Sequence, residues 1–159
     1  MAKKSVFYSF HYENDVFRVQ QIRNIGVLEG NTPVNANEWE TIKKRGRSAI
    51  QDWINENMKY KQCIIVLVGN ETANREWVQY EIKKAWEDGK PIFGIYIHNL
   101  SCLNTGKSKK GKNPFDLVRI NNIPLSNYVT CYDPNVNDAY NDIAKNISNW
   151  INIAIAERK

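Results

Sequence analysis

The sequence is poor in the residues that bind metals or form covalent cross-links. Its 159 residues include three cysteines and two histidines, with no Cys-x-x-Cys or Cys/His spacing. A structural zinc site needs about four such ligands, and disulfide frameworks need paired cysteines. Cys63 and Cys131 fall in predicted strands, where a thiol usually acts as a small buried apolar group. We therefore predict no metal site and no bound cofactor.

Long hydrophobic runs are also missing. No apolar stretch approaches the roughly 18 residues that span a bilayer. The first residues, MAKK, run directly into a strand-like segment without the apolar region and cleavage site of a signal peptide. These absences predict a cytoplasmic protein that does not bind membranes.

Several nucleotide-binding and catalytic motifs are absent as well. The chain has no Gly-x-x-x-x-Gly-Lys-[Ser/Thr] loop and no Gly-x-Gly-x-x-Gly turn after its first strand. It has no Gly-x-Ser-x-Gly elbow, and no paired acids follow the first strand. These absences argue against a P-loop nucleotidase, a dinucleotide oxidoreductase, an α/β-hydrolase and a phospho-receiver domain.

The composition is that of an ordinary soluble domain, with 42% hydrophobic and 25% charged residues. Its length predicts a single domain over residues 1–159. The net charge of +5 could favour a phosphate-bearing ligand or a nucleic acid, but such a charge balance alone is weak evidence. A lysine-rich loop at residues 106–112 could attract a pyrophosphate or a nucleic acid, but such Gly/Ser/Lys runs are more often mobile, solvated loops. Its lysines are Lys107, Lys109, Lys110 and Lys112.

Strand-like and helix-like patterns alternate along the chain, which predicts an α/β fold around a mostly parallel sheet. Strands are predicted at 5–10, 63–68, 91–97 and 128–132, with a short strand within 25–36. Helices are predicted at 14–24, from Asn37 through Ile54, from Trp77 to about Gly89, and in the C-terminal segment. We expect a flavodoxin-like, three-layer fold with about five strands.

Apolar residues at helical spacing predict which side chains pack against the sheet. In the first helix these are Val16, Phe17, Val19 and Ile22. In the last helix they are Val136, Tyr140, Ile143, Ile147, Trp150, Ile151 and Ala154. Gly46 falls inside the second predicted helix at a cost of about 1 kcal/mol relative to alanine. We interpret it as a mark of close helix–sheet contact.

The most informative segment is Trp77-Val78-Gln79-Tyr80-Glu81, at the start of the third predicted helix. Positions i and i+4 share one helix face, so Trp77 and Glu81 are neighbours. At about 100° per residue, Glu81 falls at the border of the stripe that contains Val78 and Ile82. The spacing predicts a partly desolvated carboxylate beside an indole.

Ligands bind such sheets at the carboxyl ends of the strands, where the connections diverge. The segments predicted at that edge are residues 9–12, 31–37 and 69–77 and the chain from His98 onward. The helix that carries Glu81 begins there, so its first turns are predicted to line the crevice.

Three segments resemble those of a known family. The first strand and turn, residues 6–13, resemble the opening box of TIR domains, and residues 77–81 match the Trp-x-x-x-Glu pattern of NAD-cleaving TIR enzymes. The segments Ser9–Tyr12, Asn74–Glu81 and Asn113–Asp116 are together similar to the TIR-like proteins of the bacterial Thoeris anti-phage defence system. The resemblance covers essentially the whole chain.

The resemblance implies an enzyme that cleaves NAD and makes a cyclic ADP-ribose isomer or an ADP-ribose conjugate as a second messenger. It makes Glu81 the catalytic glutamate, with Trp77 and Tyr80 shaping its pocket. Ser9 and Phe10 correspond to a loop that contacts substrate, and His11 stands beside them. The implied partners are NAD, a separate effector protein, a phage-derived activator and a second copy of the chain. The TIR-type BB loop is expected between residues 28 and 37.

Other interpretations remain open from the residues alone. Trp77 could be a core aromatic residue and Glu81 a solvated one. His11 and His98 each lie near a predicted strand end and could be a general base or a hydrogen-bonded structural histidine. The protein could also be a non-catalytic TIR-like adaptor that works by self-association.

Overall fold

The central element is a five-stranded parallel sheet. We describe it from a computed structural model, which covers residues 4–26, 28–30, 41–101 and 106–158. The strands are β1 Lys4–Ser9, β2 Leu28–Gly30, β3 Cys63–Val68, β4 Ile92–Tyr96 and β7 Cys131–Tyr132. Their order is β2-β1-β3-β4-β7, and every neighbouring pair is parallel. Strand β3 is buried along its full length, which explains its unbroken apolar sequence.

Helices cover both faces of this sheet. They are α1 Tyr12–Arg23, α2 Arg47–Met58, α3 Glu76–Glu87 and α4 Ala139–Glu157. Buried side chains of α1 and α4 form one core cluster with the sheet, and those of α2 and α3 form another on the opposite face. The predicted flavodoxin-like, three-layer arrangement of about five strands is therefore confirmed.

The register brings the carboxyl ends of the strands to one edge. Ser9 pairs with Val66, and Val68 pairs with Tyr96. Strand β1 is flanked by β2 on one side and β3 on the other, so the chain changes direction across the sheet at this strand. Such a switch point opens a crevice at the carboxyl edge.

The interpretation of Gly46 is wrong. Residues 41–44 are helical, and Gly46 separates them from α2 with a φ of 96°. A Cβ added at this position would meet nothing within 4 Å, so no close contact with the sheet requires glycine here. Glycine is favoured at this position because a positive φ is strained for residues that carry a Cβ.

Three residues predicted to pack against the sheet are exposed instead. Phe17 and Val136 are 56% and 55% exposed, and Tyr140 is also exposed. Helix α4 begins only at Ala139, so Val136 precedes the stripe to which it was assigned. The buried stripe of α4 consists of Ala139, Ile143, Ile147, Ile151 and Ala154.

The segment after β4, predicted as a loop, contains short regular elements. A 3₁₀ turn spans Pro114–Asp116, and β5 Arg119–Ile120 pairs antiparallel with β6 Ile123–Pro124. Asn121 and Asn122 join the two strands with φ values of 53° and 67°, the left-handed geometry of tight hairpin turns. Strands of two residues are too short to show an alternation of apolar and polar residues, so they could not be predicted from the sequence.

Some predictions fall on residues that the structure does not describe, namely the start of the second predicted helix at Asn37 and most of the 28–37 loop. Within the described ranges, none of the helices is both long and apolar enough to cross a bilayer.

Candidate functional site

A buried hydrogen bond joins the first strand to the third helix at the carboxyl edge. Ser9 Oγ, at the end of β1, donates to Glu81 Oε1 over 2.7 Å. Ser9 is fully buried and Glu81 is 7% exposed. The two residues lie far apart in the chain, and the parallel packing of β1 and β3 brings them together.

The burial of Glu81 follows from its position on α3. Val78, Ile82 and Ala85 form the apolar stripe that packs on the sheet, and Glu81 is buried with them. The helical angles predicted a carboxylate at the border of this stripe, and the structure places it within the buried side. The alternative of a solvated glutamate is wrong.

Desolvation controls the electrostatics of this carboxyl group. Burial raises the pKa of Glu81 from 4.5 to about 8, and the hydrogen bond from Ser9 opposes that rise. A carboxylic acid with a raised pKa in a crevice is a candidate for acid–base or electrostatic catalysis. Ser9 is the partner that favours the charged form.

Trp77 and Tyr80 lie on the same helix as Glu81. Their rings meet edge to face, with centroids 5.5 Å apart and an interplanar angle of 74°. Both are partly buried against the core cluster that contains Val78. The Tyr80 hydroxyl donates to Asn55 Oδ1 of α2 over 2.9 Å, which ties α3 to α2. The two rings are therefore held in place on the helix that carries Glu81, with Trp77 one turn before it and Tyr80 next to it in the chain.

Phe10 and His11 follow Ser9 directly. Phe10 packs against the core cluster that contains α1 and α4, on the face of the sheet opposite to α3. His11 is buried, and its carbonyl accepts the backbone N–H of Asp15 over 3.0 Å. The structure thus joins Ser9 to Glu81 directly, whereas Phe10 turns toward the other layer.

A buried ion pair beneath this edge was missed by the sequence analysis. Arg18 Nη1 donates to Asp15 Oδ1 over 3.1 Å, and both side chains are buried. Arg18 also donates from Nε to the Leu100 carbonyl over 2.9 Å and from Nη2 to the Gly106 carbonyl over 2.8 Å. Burial raises the pKa of Asp15, and the Arg18 charge opposes the rise. The i,i+3 spacing of the pair is a signal that could have identified it.

Two glycines allow close backbone contact around the ion pair. A Cβ on Gly69, the residue after β3, would collide with the Asp15 carboxylate. A Cβ on Gly111 would collide with the Gly69 carbonyl oxygen. The lysine-rich loop is therefore packed directly onto the end of β3.

The four lysines of the lysine-rich loop are exposed, as expected for a solvated run. Two of them also have partners on the protein. Lys107 donates to the Val136 carbonyl over 2.7 Å, and Lys110 donates to Asp133 over 2.9 Å. Lys110 also lies 4.5 Å from the centre of the Tyr96 ring.

His98 is buried beside this loop, and its carbonyl accepts the Ser108 N–H over 2.9 Å. Desolvation lowers the pKa of His98, and Lys110 contributes in the same direction. In the described part of the chain, no three His, Cys, Asp or Glu side chains are grouped so that they could hold a metal ion.

The third motif of the resemblance, Asn113–Asp116, has a structural role. Asn113 Oδ1 accepts the Phe115 N–H over 2.9 Å and so caps the 3₁₀ turn. Phe115 is fully buried and lies so close to Gly94 of β4 that a side chain there would meet its ring. The turn thereby anchors the segment after β4 to the sheet.

Comparisons with known proteins identify the family of this chain. The family described as "Thoeris protein ThsB, TIR-like domain" matches residues 7–101, a range that includes Ser9, Trp77 and Glu81. A Bacillus cereus (strain MSX-D12) protein named cyclic ADP-D-ribose synthase ThsB1 is 40% identical over 123 residues. The match covers 74% of this chain and 64% of that relative, so the chain spans less than two thirds of the relative's length. The chain belongs to the Thoeris ThsB family of TIR-like domain proteins.

Proposed function

We propose that this protein cleaves NAD at the nicotinamide–ribose bond and makes a cyclic ADP-ribose isomer or an ADP-ribose conjugate. The product would activate a separate effector protein in anti-phage defence. The observation that carries the proposal is the buried Glu81 carboxyl group, held by Ser9 one turn from Trp77. The name of the 40%-identical relative, a cyclic ADP-D-ribose synthase, supports it.

The proposed chemistry uses Glu81 as an electrostatic stabiliser. Nicotinamide leaves as a neutral base, and positive charge develops on the ribose carbon that it leaves. A fixed carboxylate beside that carbon stabilises the charge, and its effect is greatest in a site with little water. Trp77 and Tyr80 offer apolar surface that excludes water from the carboxylate. The acceptor that then attacks the carbon decides which nucleotide is released.

The substrate itself would help to ionise Glu81. NAD carries a positive charge on its pyridinium ring, and an opposite charge within about 4–6 Å favours the ionised carboxylate. The ligand-free group has a pKa near 8, so binding of the pyridinium is expected to lower it. The pyridinium charge of the bound substrate would thus favour the ionised carboxylate that stabilises the positive charge developing on the ribose carbon.

The proposal extends to partners and location. We propose that a phage-derived activator switches the enzyme on, that self-association of the chain accompanies activation, and that the protein acts in the cytoplasm on the NAD pool. The alternative, a non-catalytic adaptor, shares the fold and the self-association but needs no ionised carboxylate.

The test is incubation of the protein with NAD, with and without lysate from infected cells. Nicotinamide release is followed over time, and the nucleotide product is identified by mass spectrometry. We expect nicotinamide together with an ADP-ribose isomer or conjugate. Absence of NAD consumption under all of these conditions would reject the enzyme in favour of the adaptor.

The pH dependence of turnover tests the role of the Ser9–Glu81 hydrogen bond. We expect kcat/KM to rise with pH with a midpoint near 8, the pKa of Glu81 in the free enzyme. The midpoint of kcat should lie lower because the bound pyridinium favours the carboxylate. Ser9→Ala removes the hydrogen bond that stabilises the ionised form of Glu81, so it should move the midpoint of kcat/KM to higher pH. A profile that is flat between pH 6 and 9 in both proteins would contradict this role.

A further inference from the structure

An exposed arginine covers the indole next to the proposed catalytic carboxyl group. Arg47 is the first residue of α2, and its guanidinium carbon lies 5.2 Å from the centre of the Trp77 ring. The same guanidinium forms an ion pair with Glu76, the first residue of α3. Arg47 is thus held over the indole by a stacking contact and a carboxylate.

The position of Arg47 suits the polar end of a ligand whose ribose reaches Glu81. Trp77 and Glu81 are one helical turn apart, with about 5–6 Å between the Cβ atoms of such neighbours. The guanidinium lies against the indole, and the Arg47 side chain is 68% exposed, so it is accessible to a ligand. In NAD the diphosphate is attached to the same ribose that carries nicotinamide. A ribose seated at Glu81 would therefore place its 5′-phosphate within reach of Arg47.

The ion pair with Glu76 is easily exchanged. The Glu76 side chain is 57% exposed, and solvent-exposed pairs of this kind contribute little to stability. Each phosphate of the diphosphate offers a guanidinium two parallel hydrogen bonds, and the diphosphate as a whole carries two negative charges against one on the Glu76 carboxylate. Arg47 could therefore leave Glu76 for a phosphate while it stays on the indole.

We propose that Arg47 binds the diphosphate of the dinucleotide substrate, exchanging Glu76 for a phosphate oxygen while it remains stacked on Trp77. This inference rests on the proposed function, because it assumes that the ribose of NAD lies at Glu81. Glu76 then competes with the phosphate for the Arg47 guanidinium, and this competition weakens substrate binding.

The lysine-rich loop is another source of positive charge near this edge. Lys107 and Lys110 already donate to Val136 and Asp133, so they would have to break these contacts to bind phosphate. Lys109 and Lys112 are exposed. The competing hypothesis is that these two lysines bind the diphosphate, and their combined substitution by alanine tests it in the experiment below.

The first experiment measures the steady-state kinetics of NAD cleavage by activated protein. Arg47→Ala should raise KM about 10- to 100-fold, the usual value of a hydrogen bond to a charged group, with kcat within about twofold. The KM of Arg47→Lys should lie between those of the wild type and Arg47→Ala, because an ammonium keeps the charge but cannot form two parallel hydrogen bonds. Glu76→Gln should lower KM, since it removes the competing carboxylate.

Opposite effects of the two variants separate substrate binding from a structural role. If the Arg47–Glu76 contact were merely structural, Arg47→Ala and Glu76→Gln would both lose it, and KM would change in the same direction in both variants. Arg119→Ala is the matched control because it removes the same side chain from an exposed position in β5. We expect its KM to be unchanged.

The second experiment measures binding by calorimetry to Glu81→Gln, which keeps the ligand intact. Arg47→Ala added to this variant should weaken binding of NAD and of ADP-ribose, and leave nicotinamide riboside, which lacks phosphate, unaffected. Equal losses for all three ligands, or unchanged NAD affinity, would overturn the role of Arg47. A larger loss from the Lys109/Lys112 double variant would assign the diphosphate to the loop instead.

The two experiments also distinguish failure of this inference from failure of the proposed function. A protein that cleaves NAD with an unchanged KM after Arg47→Ala refutes only the Arg47 contact. A protein that neither binds nor cleaves NAD refutes both. A protein that binds NAD without cleaving it refutes the enzyme, and the calorimetry still decides whether Arg47 holds the diphosphate.

Discussion

Replacing Glu81 with glutamine is expected to reduce the rate of nicotinamide release from NAD by at least about 100-fold, with little change in the fold. Removal of one preorganised electrostatic group from an active site typically lowers kcat by about 10²–10³-fold. Glutamine has nearly the same shape, and its carbonyl oxygen can still accept the Ser9 hydroxyl that now bonds to Glu81. The loss should therefore come from the missing charge. Nicotinamide release by activated wild type and variant is the measurement.

Stability measurements show whether the variant remains folded. The pKa of Glu81 is raised from 4.5 to about 8, so the folded state holds this proton more tightly than the unfolded state. The free energy of unfolding of the wild type should therefore fall as pH rises from about 4.5 to 8, by about 1.4 kcal/mol for each pH unit in that range. Glu81→Gln lacks this loss and should be more stable than wild type at pH 9. An inactive variant that melts earlier at pH 9 would mean that misfolding, and not the lost charge, explains the inactivity.

Removal of the Arg18 side chain is expected to lower the free energy of unfolding by about 3–5 kcal/mol, the usual cost of leaving one partner of a buried ion pair without the other. Asp15 would remain buried against Gly69 with its charge uncompensated. The carbonyl groups of Leu100 and Gly106 would also lose their donors. Urea unfolding of the wild type and of Arg18→Ala, monitored by circular dichroism, gives the difference between their free energies of unfolding.

A double-mutant cycle separates the charge effect from lost packing. Asp15→Ala/Arg18→Ala leaves no unpaired charge, so its destabilisation should be smaller than the sum of the single variants. Phe17→Ala is the control because it removes a large side chain from an exposed position on the same helix, and its effect should be below about 0.5 kcal/mol. Additive single effects would show that the two side chains act independently.

Local periodicity predicted the elements well. The unbroken apolar run of β3 and the helical spacing of α3 were both identified, because each pattern is set within about a dozen neighbouring residues. The same reasoning failed at Gly46, where an apolar stripe continues across a break in the helix. It also failed for Phe17, since the side of a helix that faces the sheet depends on the layer against which it packs.

The sequence by itself determined the fold class, the position of Glu81 at the border of the apolar stripe of a helix, and the motifs that carry the family resemblance. Only the tertiary structure decided the contacts between Ser9 and Glu81, between Arg18 and Gly106, and between Arg47 and Trp77. The members of each pair are separated by at least 30 positions in the chain. Periodicity describes neighbours along a helix or strand, whereas the desolvation that shifts a pKa depends on every layer packed around the group. For that reason the sequence indicated which carboxyl group to examine, and the fold decided how strongly it holds its proton.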